Sequence, residues 1–328
     1  MLKQNNINPP YIKLRDSVVT VMTDVIIALI PLYVMAFFYY GARAIALGLV
    51  SALYCYALDR FCFYLRRKSF GLFDLSSVVT GLIVPLLCPV SIPFGIVIAA
   101  DTFGILAAKV SFGGTANNIF NPAAAAVCFA TISYSSKMSL FPVPFDLAET
   151  LKSPSEILRL GGIPTTELSD MLFGNFPGPM GAVNILVIIS CFIYLIMRKV
   201  IRPDATLALI LTAFVLGGLF PRADVGFLRS GILEIFSGSL FFGAVYLIND
   251  PSTSPKRRLG KLIFGFVVGC LTILFRHVGA FEQEICFVIL VCNSFCGIID
   301  YAMELIYARK RERQRSITLE EAESNYEK

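Results

Sequence analysis

The sequence predicts an all-α polytopic membrane protein, with about ten transmembrane helices in two inverted five-helix halves. Three observations lead there. Hydrophobic residues make up 56% of the 328, mean hydropathy is +0.73, and only 16% are charged. The charges cluster between apolar runs long enough to cross a bilayer. An odd number of runs lies on each side of a single long polar stretch, which forces the two halves into opposite orientations.

The runs follow in order. Lys3 to Arg15 is a short basic lead, too polar for a signal peptide. Val18–Tyr40 is the first span, with Asp24 inside it, and Ala42–Leu58 is the second, after a minimal turn at Gly41. Arg66, Arg67 and Lys68 stop transfer. The third, Ser77–Ile92, is interrupted by Pro85 and Pro89, and the fourth, Phe94–Val110, carries Asp101 near its middle. Pro122–Tyr134 is a short fifth. Residues 1–134 form the first half, 135–180 a hydrophilic loop, 181–308 the second half and 309–328 a charged helical tail. The second half holds Gly181–Ile201, Ala205–Phe220, Ile232–Ile248, Leu259–Val278 and Glu284–Tyr301.

Basic residues orient the chain. Ten spans put 21 of the 28 lysines and arginines on the side that holds both termini. That side is therefore expected to be cytoplasmic, with the loop 135–180 external and the bilayer a bacterial or archaeal cytoplasmic membrane. The net charge of +5 flanks spans, so it argues for membrane orientation and against a nucleic-acid partner. The nine cysteines fall almost wholly inside spans, form no CxxC pair and cannot build a metal site with the single His277. They read as small buried apolar residues.

Two polar loops interrupt the apolar pattern. Phe112 to Ala126 holds Gly113-Gly114, three asparagines and Asn121-Pro122, a strong helix start in which Asn caps and Pro presets φ. Irregular backbone at membrane depth is tolerated where it is buried in protein or lines a cavity, although a tight interhelical loop is the plainer reading. Ile248 to Pro255, with Asn249-Asp250-Pro251, echoes it in the second half, or caps a cytoplasmic helix before Lys256-Arg257-Arg258. Asp101 is the deepest carboxylate and a candidate for an ion path, or a structural partner for a helix end. In the long loop, Thr165 or Thr166 is expected to cap a helix favoured by Glu167 and Asp170.

Three separated blocks together resemble the RnfD/NqrB family, flavin-bearing membrane subunits of ion-translocating oxidoreductase complexes. They are Lys109 to Gly114 with Asn118 to Ala123, Asn249 to Pro255 with Gly260-Lys261, and Phe287 to Asn293 with Ile298-Ile299-Asp300. The resemblance covers essentially the whole chain, and the length fits the Rnf type. It implies electron transfer coupled to Na⁺ or H⁺ export, within a complex of membrane and peripheral subunits. It also implies FMN joined through its phosphate to a loop threonine by a flavin transferase. Ile163-Pro164-Thr165-Thr166-Glu167-Leu168 then places the acceptor at Thr166, with Thr165 as the alternative, although the residues before the threonine depart from the family's usual small ones. A second, non-covalent flavin, riboflavin, is also implied, with Asn121, Asn249 and Asp250 placed near it or near the ion path. The residues alone leave a channel or secondary transporter for a small polar solute or ion as the competing function.

Overall fold

A computed structural model describes residues 18–66, 75–114, 117–279 and 282–326, with the backbone alone beyond 309. The predicted stop signal Arg67-Lys68 and residues Thr115-Ala116 of the first polar loop lie outside the described residues. The described chain is helical apart from one short hairpin, in the order α1 (Val18–Tyr40), α2 (Ala42–Leu65), α3 (Ser76–Leu86) and α4 (Phe94–Phe103). A π-helical segment, Gly104–Val110, continues α4 before α5 (Pro122–Ser133). The loop region then holds α6 (Ser135–Met138), β1 (Phe141–Val143) paired antiparallel with β2 (Asp146–Leu151), α7 (Pro154–Arg159) and α8 (Leu168–Phe173). After it come α9 (Ile185–Met197), α10 (Pro203–Leu219), α11 (Phe227–Phe236) and α12 (Leu240–Phe242), which runs into a second π segment, Gly243–Leu247. The chain closes with α13 (Arg258–Val278) and α14 (Glu284–Tyr326).

Helices α1, α2, α13 and the first part of α14 are each long and apolar enough to cross a membrane, and only 28% to 39% of each hydrophobic window is buried. The rest, including Phe38, Leu53, Leu274 and Ile298, faces outward. Large apolar side chains on the outside of long helices are what lipid as solvent selects. This is an all-α polytopic membrane protein. One hydrophobic core joins both halves, from Leu29, Leu47 and Val127 to Leu209, Val245 and Ile289.

Three predicted spans change shape, each because backbone groups found partners elsewhere. The third span ends as a helix at Leu86, since Pro89 leaves carbonyls without intrahelical donors. Gly181 N donates to Leu86 O at 2.8 Å, Gln283 Nε2 to Leu87 O at 3.2 Å, and Met180 N to Cys88 O at 3.2 Å. Arg43 completes the set, with Nε on Val90 O at 2.8 Å and Nη2 on Ile92 O at 2.9 Å. The sixth span is consequently shorter than Gly181–Ile201: Met180 and Gly181 serve the break, and helix begins at Ile185 after Asn184 caps Val187 N at 3.0 Å. The eighth is not one rod. It bends by 68° between α11 and the helix starting at Leu240, around Ser237-Gly238-Ser239, where Gly238 takes φ +67°.

Small residues set the tightest helix contacts. A Cβ on Gly265 of α13 would fall on the backbone carbonyl of Ala205 in α10, and one on Gly269 would lie 3.0 Å from Leu209 O. Backbone cannot yield as a side-chain tip does. Gly265→Ala is therefore expected to cost about 1–3 kcal/mol through overpacking, read as a lower midpoint of thermal unfolding in detergent.

Candidate functional site

Each half of the chain carries a π segment that starts at a glycine (Gly104, Gly243) and runs into one of the two polar loops. A π turn leaves carbonyls poorly served by the helix itself, and such turns recur at functional sites. Ser111 Oγ donates to Leu106 O at 2.7 Å in the first. In the second, Thr206 Oγ1 donates to Ala244 O at 2.6 Å, while Asn249 Nδ2 reaches Thr206 Oγ1 at 2.7 Å and Val245 O at 3.0 Å. Asn249 thus ties its own loop to the π segment before it.

The loops meet across the core. Asn121 caps α5 as its Asn-Pro pattern predicts, its Oδ1 accepting from Ala123 N at 3.0 Å and Ala124 N at 3.1 Å. Its Nδ2 then points to Leu247 O of the opposite half at 3.4 Å. Asn293 of α14, with its amide turned to satisfy both neighbours, accepts from Asn121 N at 3.0 Å and donates to Ile289 O. Asp300 of the same helix accepts from Lys256 N at 3.0 Å. The first sequence block therefore touches the third through Asn121 and Asn293, and each of them meets a residue that flanks the second block, Leu247 or Lys256.

Beside this junction lies a cavity of about 370 Å³, in the range of small-molecule sites. Apolar side chains of α1 and α3 (Met22, Val25, Val79, Ile83) line one part, and Lys109, Asn118, Asn121, Asn249 and Asp250 supply polar groups. The side-chain oxygens of Asn118 and Asn249 are buried without a hydrogen-bond partner. A buried acceptor left unmade costs free energy unless something donates to it. The site suits a largely apolar ligand that carries N–H or O–H groups. Asp250 closes on its own turn, accepting from Ser252 Oγ and Thr253 Oγ1 at 2.9 Å each. It does not cap α13, which starts at Arg258 after Arg257 with no side-chain cap.

Lys109 was not singled out on its own in the sequence, yet it anchors the cavity wall. Its ammonium pairs with Asp59 of α2 at 2.7 Å and contacts Ser76 and Ser77 Oγ at 2.7 and 2.6 Å. Both charges are sealed, at 1% and 0% exposure. The signal available in the sequence was a basic residue inside one apolar run and an acidic one at the very end of another, which need each other. Asp24 also finds a partner, in Arg198 at the C-terminal cap of α9, 3.1 Å away and half exposed.

Asp101 stands apart. It is fully buried, its Oδ2 lies 2.7 Å from Ser51 Oγ, and it does not line the cavity. Thr165 and Thr166 lie at the opposite end, in the segment between α7 and α8. Neither caps α8: its N-cap position is Glu167, which makes no side-chain cap, so the predicted threonine cap is not formed. Thr165 is exposed, whereas Thr166 Oγ1 is buried and has no hydrogen-bond partner.

Known proteins resemble the chain over most of its length. The chain is 28% identical over 322 residues to the D-type subunit of the ion-translocating oxidoreductase complex of Stutzerimonas stutzeri, covering 88% of this chain and 91% of that one. It is 28% identical over 304 residues to the D-type subunit of the Na⁺-translocating ferredoxin:NAD⁺ oxidoreductase complex of Acetobacterium woodii, covering 91% and 93%. Against the D-type subunit of the proton-translocating ferredoxin:NAD⁺ oxidoreductase complex of Clostridium ljungdahlii it is 28% identical over 308 residues, covering 89% and 92%. The model of the NQR2, RnfD, RnfE family matches residues 6–307, and the chain belongs to that family.

Proposed function

We propose that this chain is the D-type membrane subunit of an ion-translocating oxidoreductase complex, relaying electrons through flavins while Na⁺ or H⁺ is exported. The observation that carries the reading is one ligand-sized cavity lined by two of the family-like sequence blocks, with buried amide oxygens that lack donors, and joined to the third block through Asn121 and Asn293. Its partners are the other membrane and peripheral subunits and a flavin transferase. The two inverted halves belong to the proposal and are supported by the paired π segments and the asparagine loops that follow them. So do the cytoplasmic termini and the external loop, which rest on the distribution of basic residues.

Riboflavin is the ligand proposed for the cavity, where Asn118 and Asn249 would accept its N–H or O–H groups and the side chains of α1 and α3 would shield the ring from water. FMN is proposed on Thr166. An ester oxygen needs no donor, so a threonine hydroxyl that already makes no hydrogen bond loses none when esterified. Thr165, being exposed, is the alternative. The flavins would supply the one- and two-electron chemistry; the chain supplies placement and electrostatics.

The test is the chain produced together with its flavin transferase and run on a denaturing gel. A fluorescent flavin band is expected from the wild type and from Thr165→Val, and none from Thr166→Val. A band that survives replacement of both threonines would overturn the attachment site.

A further inference from the structure

At the end of the bundle that carries the loop 135–180 lies a second cavity, of about 440 Å³. Its rim is exposed at Ser135, Ser136, Ser139 and Arg159, and its floor is buried at Arg276 and Glu282. The rim is open to solvent, and the side chains that line the floor are themselves mostly covered by protein.

The charges around the floor pair off, with one left over. Arg159 of α7 lies 3.8 Å from Glu156. Arg222, from the α10–α11 connection, grips Glu234 of α11 at 2.6 Å. Arg276 of α13 bridges Glu234 at 2.8 Å and Glu284 of α14 at 2.6 Å. Of the nearby titratable groups, His277 bonds back to Ile273 O of its own helix, and Lys137 on α6 does not line the cavity. Three arginines thus meet three glutamates. Glu282 is the fourth carboxylate, 8% exposed, and has no cationic partner among the described residues.

Its hydrogen bonding is equally lopsided. Glu282 Oε2 accepts from Ser153 Oγ at 2.6 Å, and Ser153 in turn accepts from Glu156 N at 3.2 Å, which orients its one proton to the carboxylate. Ser239 Oγ holds the Glu282 backbone carbonyl at 3.1 Å. Glu282 Oε1 has no partner.

We propose that Glu282 is a proton-exchanging carboxylate, taking up one proton on Oε1 and returning it to solvent in the cavity. The step is a plain acid dissociation: the O–H bond on Oε1 breaks, its electrons stay on the carboxylate, and solvent carries the proton away. A proton suits the site better than a metal cation, which would sit in the same wall as two guanidiniums and lack a full set of oxygen ligands. Burial, reinforced by the Glu284 charge, pushes the Glu282 carboxyl up to about 7, against the opposing pull of Ser153, Arg276 and Arg222. The site goes beyond the flavin reading and holds whether or not the chain carries a cofactor.

Infrared spectroscopy of the full-length chain in lipid nanodiscs tests it. A protonated-carboxyl C=O band that titrates near pH 7 is expected in the wild type. The band should be unchanged in Glu149→Gln, on the exposed face of β2, and should lose the amplitude of one carboxyl in Glu282→Gln. Identical titrations of wild type and Glu282→Gln would overturn the proposal. So would loss of the band in sodium chloride but not in choline chloride at the same pH, which would make the site a sodium site. If Glu282→Gln does not fold, Glu282→Asp should move the midpoint, and an unmoved midpoint would overturn the proposal. Stability gives an independent check. A carboxyl raised from 4.5 to about 7 keeps its proton in the folded state where the unfolded chain has lost it. Wild type should therefore lose stability relative to Glu282→Gln as pH rises from 4.5 to about 7, and no further above that.

Discussion

Replacing Arg276 with alanine is expected to destabilise the fold by about 3–5 kcal/mol, the usual cost of breaking a buried ion pair from one side. Arg276 is 3% exposed and holds two carboxylates, Glu234 and Glu284. It also donates to Glu234 O and, at 2.8 Å, to Ser237 O, the carbonyls freed where the eighth span breaks. Losing it would leave charge and backbone unsatisfied in one place. A Glu284→Gln change added to Arg276→Ala should recover part of the loss, because one uncompensated charge disappears with it. Thermal unfolding followed by a thiol-reactive dye suits the measurement. The chain has no tryptophan, and its nine free cysteines, seven of them buried, become reactive as it opens.

Lys109→Met is expected to cost about as much, roughly 3–5 kcal/mol, by stranding Asp59 at 0% exposure. The double variant Lys109→Met, Asp59→Leu removes both charges. Buried pairs replaced together by apolar residues of similar volume are often neutral, so most of the stability should return. Failure of the double variant to recover would show that the contacts of Lys109 with Ser76 and Ser77, not its charge balance, hold this wall. Because Lys109 also lines the cavity, the double variant separates fold from binding: stability is expected back, whereas binding of riboflavin, the ligand proposed for that cavity, is expected to stay weak.

Local chemistry was readable where a residue acts on its neighbours. Asn121 before Pro122 spells a cap because both act within one turn, and the cap forms. Gly41 spells a tight turn and takes φ +72°. The breaks were harder. Pro85 and Pro89 marked the first, but Ser237-Gly238-Ser239 carries no such mark in an apolar run. Its bend is held by Arg276 from another helix, a partner far along the chain. The threonine cap on α8 failed for a related reason. The chain enters that helix one residue later, at Glu167, and Thr166 turns its hydroxyl into a buried place without a donor or acceptor.

Composition and periodicity alone were enough to make this an all-α polytopic membrane protein, because transfer of apolar side chains out of water depends on residue type and run length. They were also enough to say that every charge inside a run needs company. Which company was a tertiary matter. Lys109 with Asp59, Asp24 with Arg198, and Arg276 with Glu234 and Glu284 join different helices. So do Asn121, Leu247 and Asn293 beside the cavity. Electrostatic and hydrogen-bond partners are selected by distance in space, and only packing brings residues from separate runs within three ångströms or so of one another.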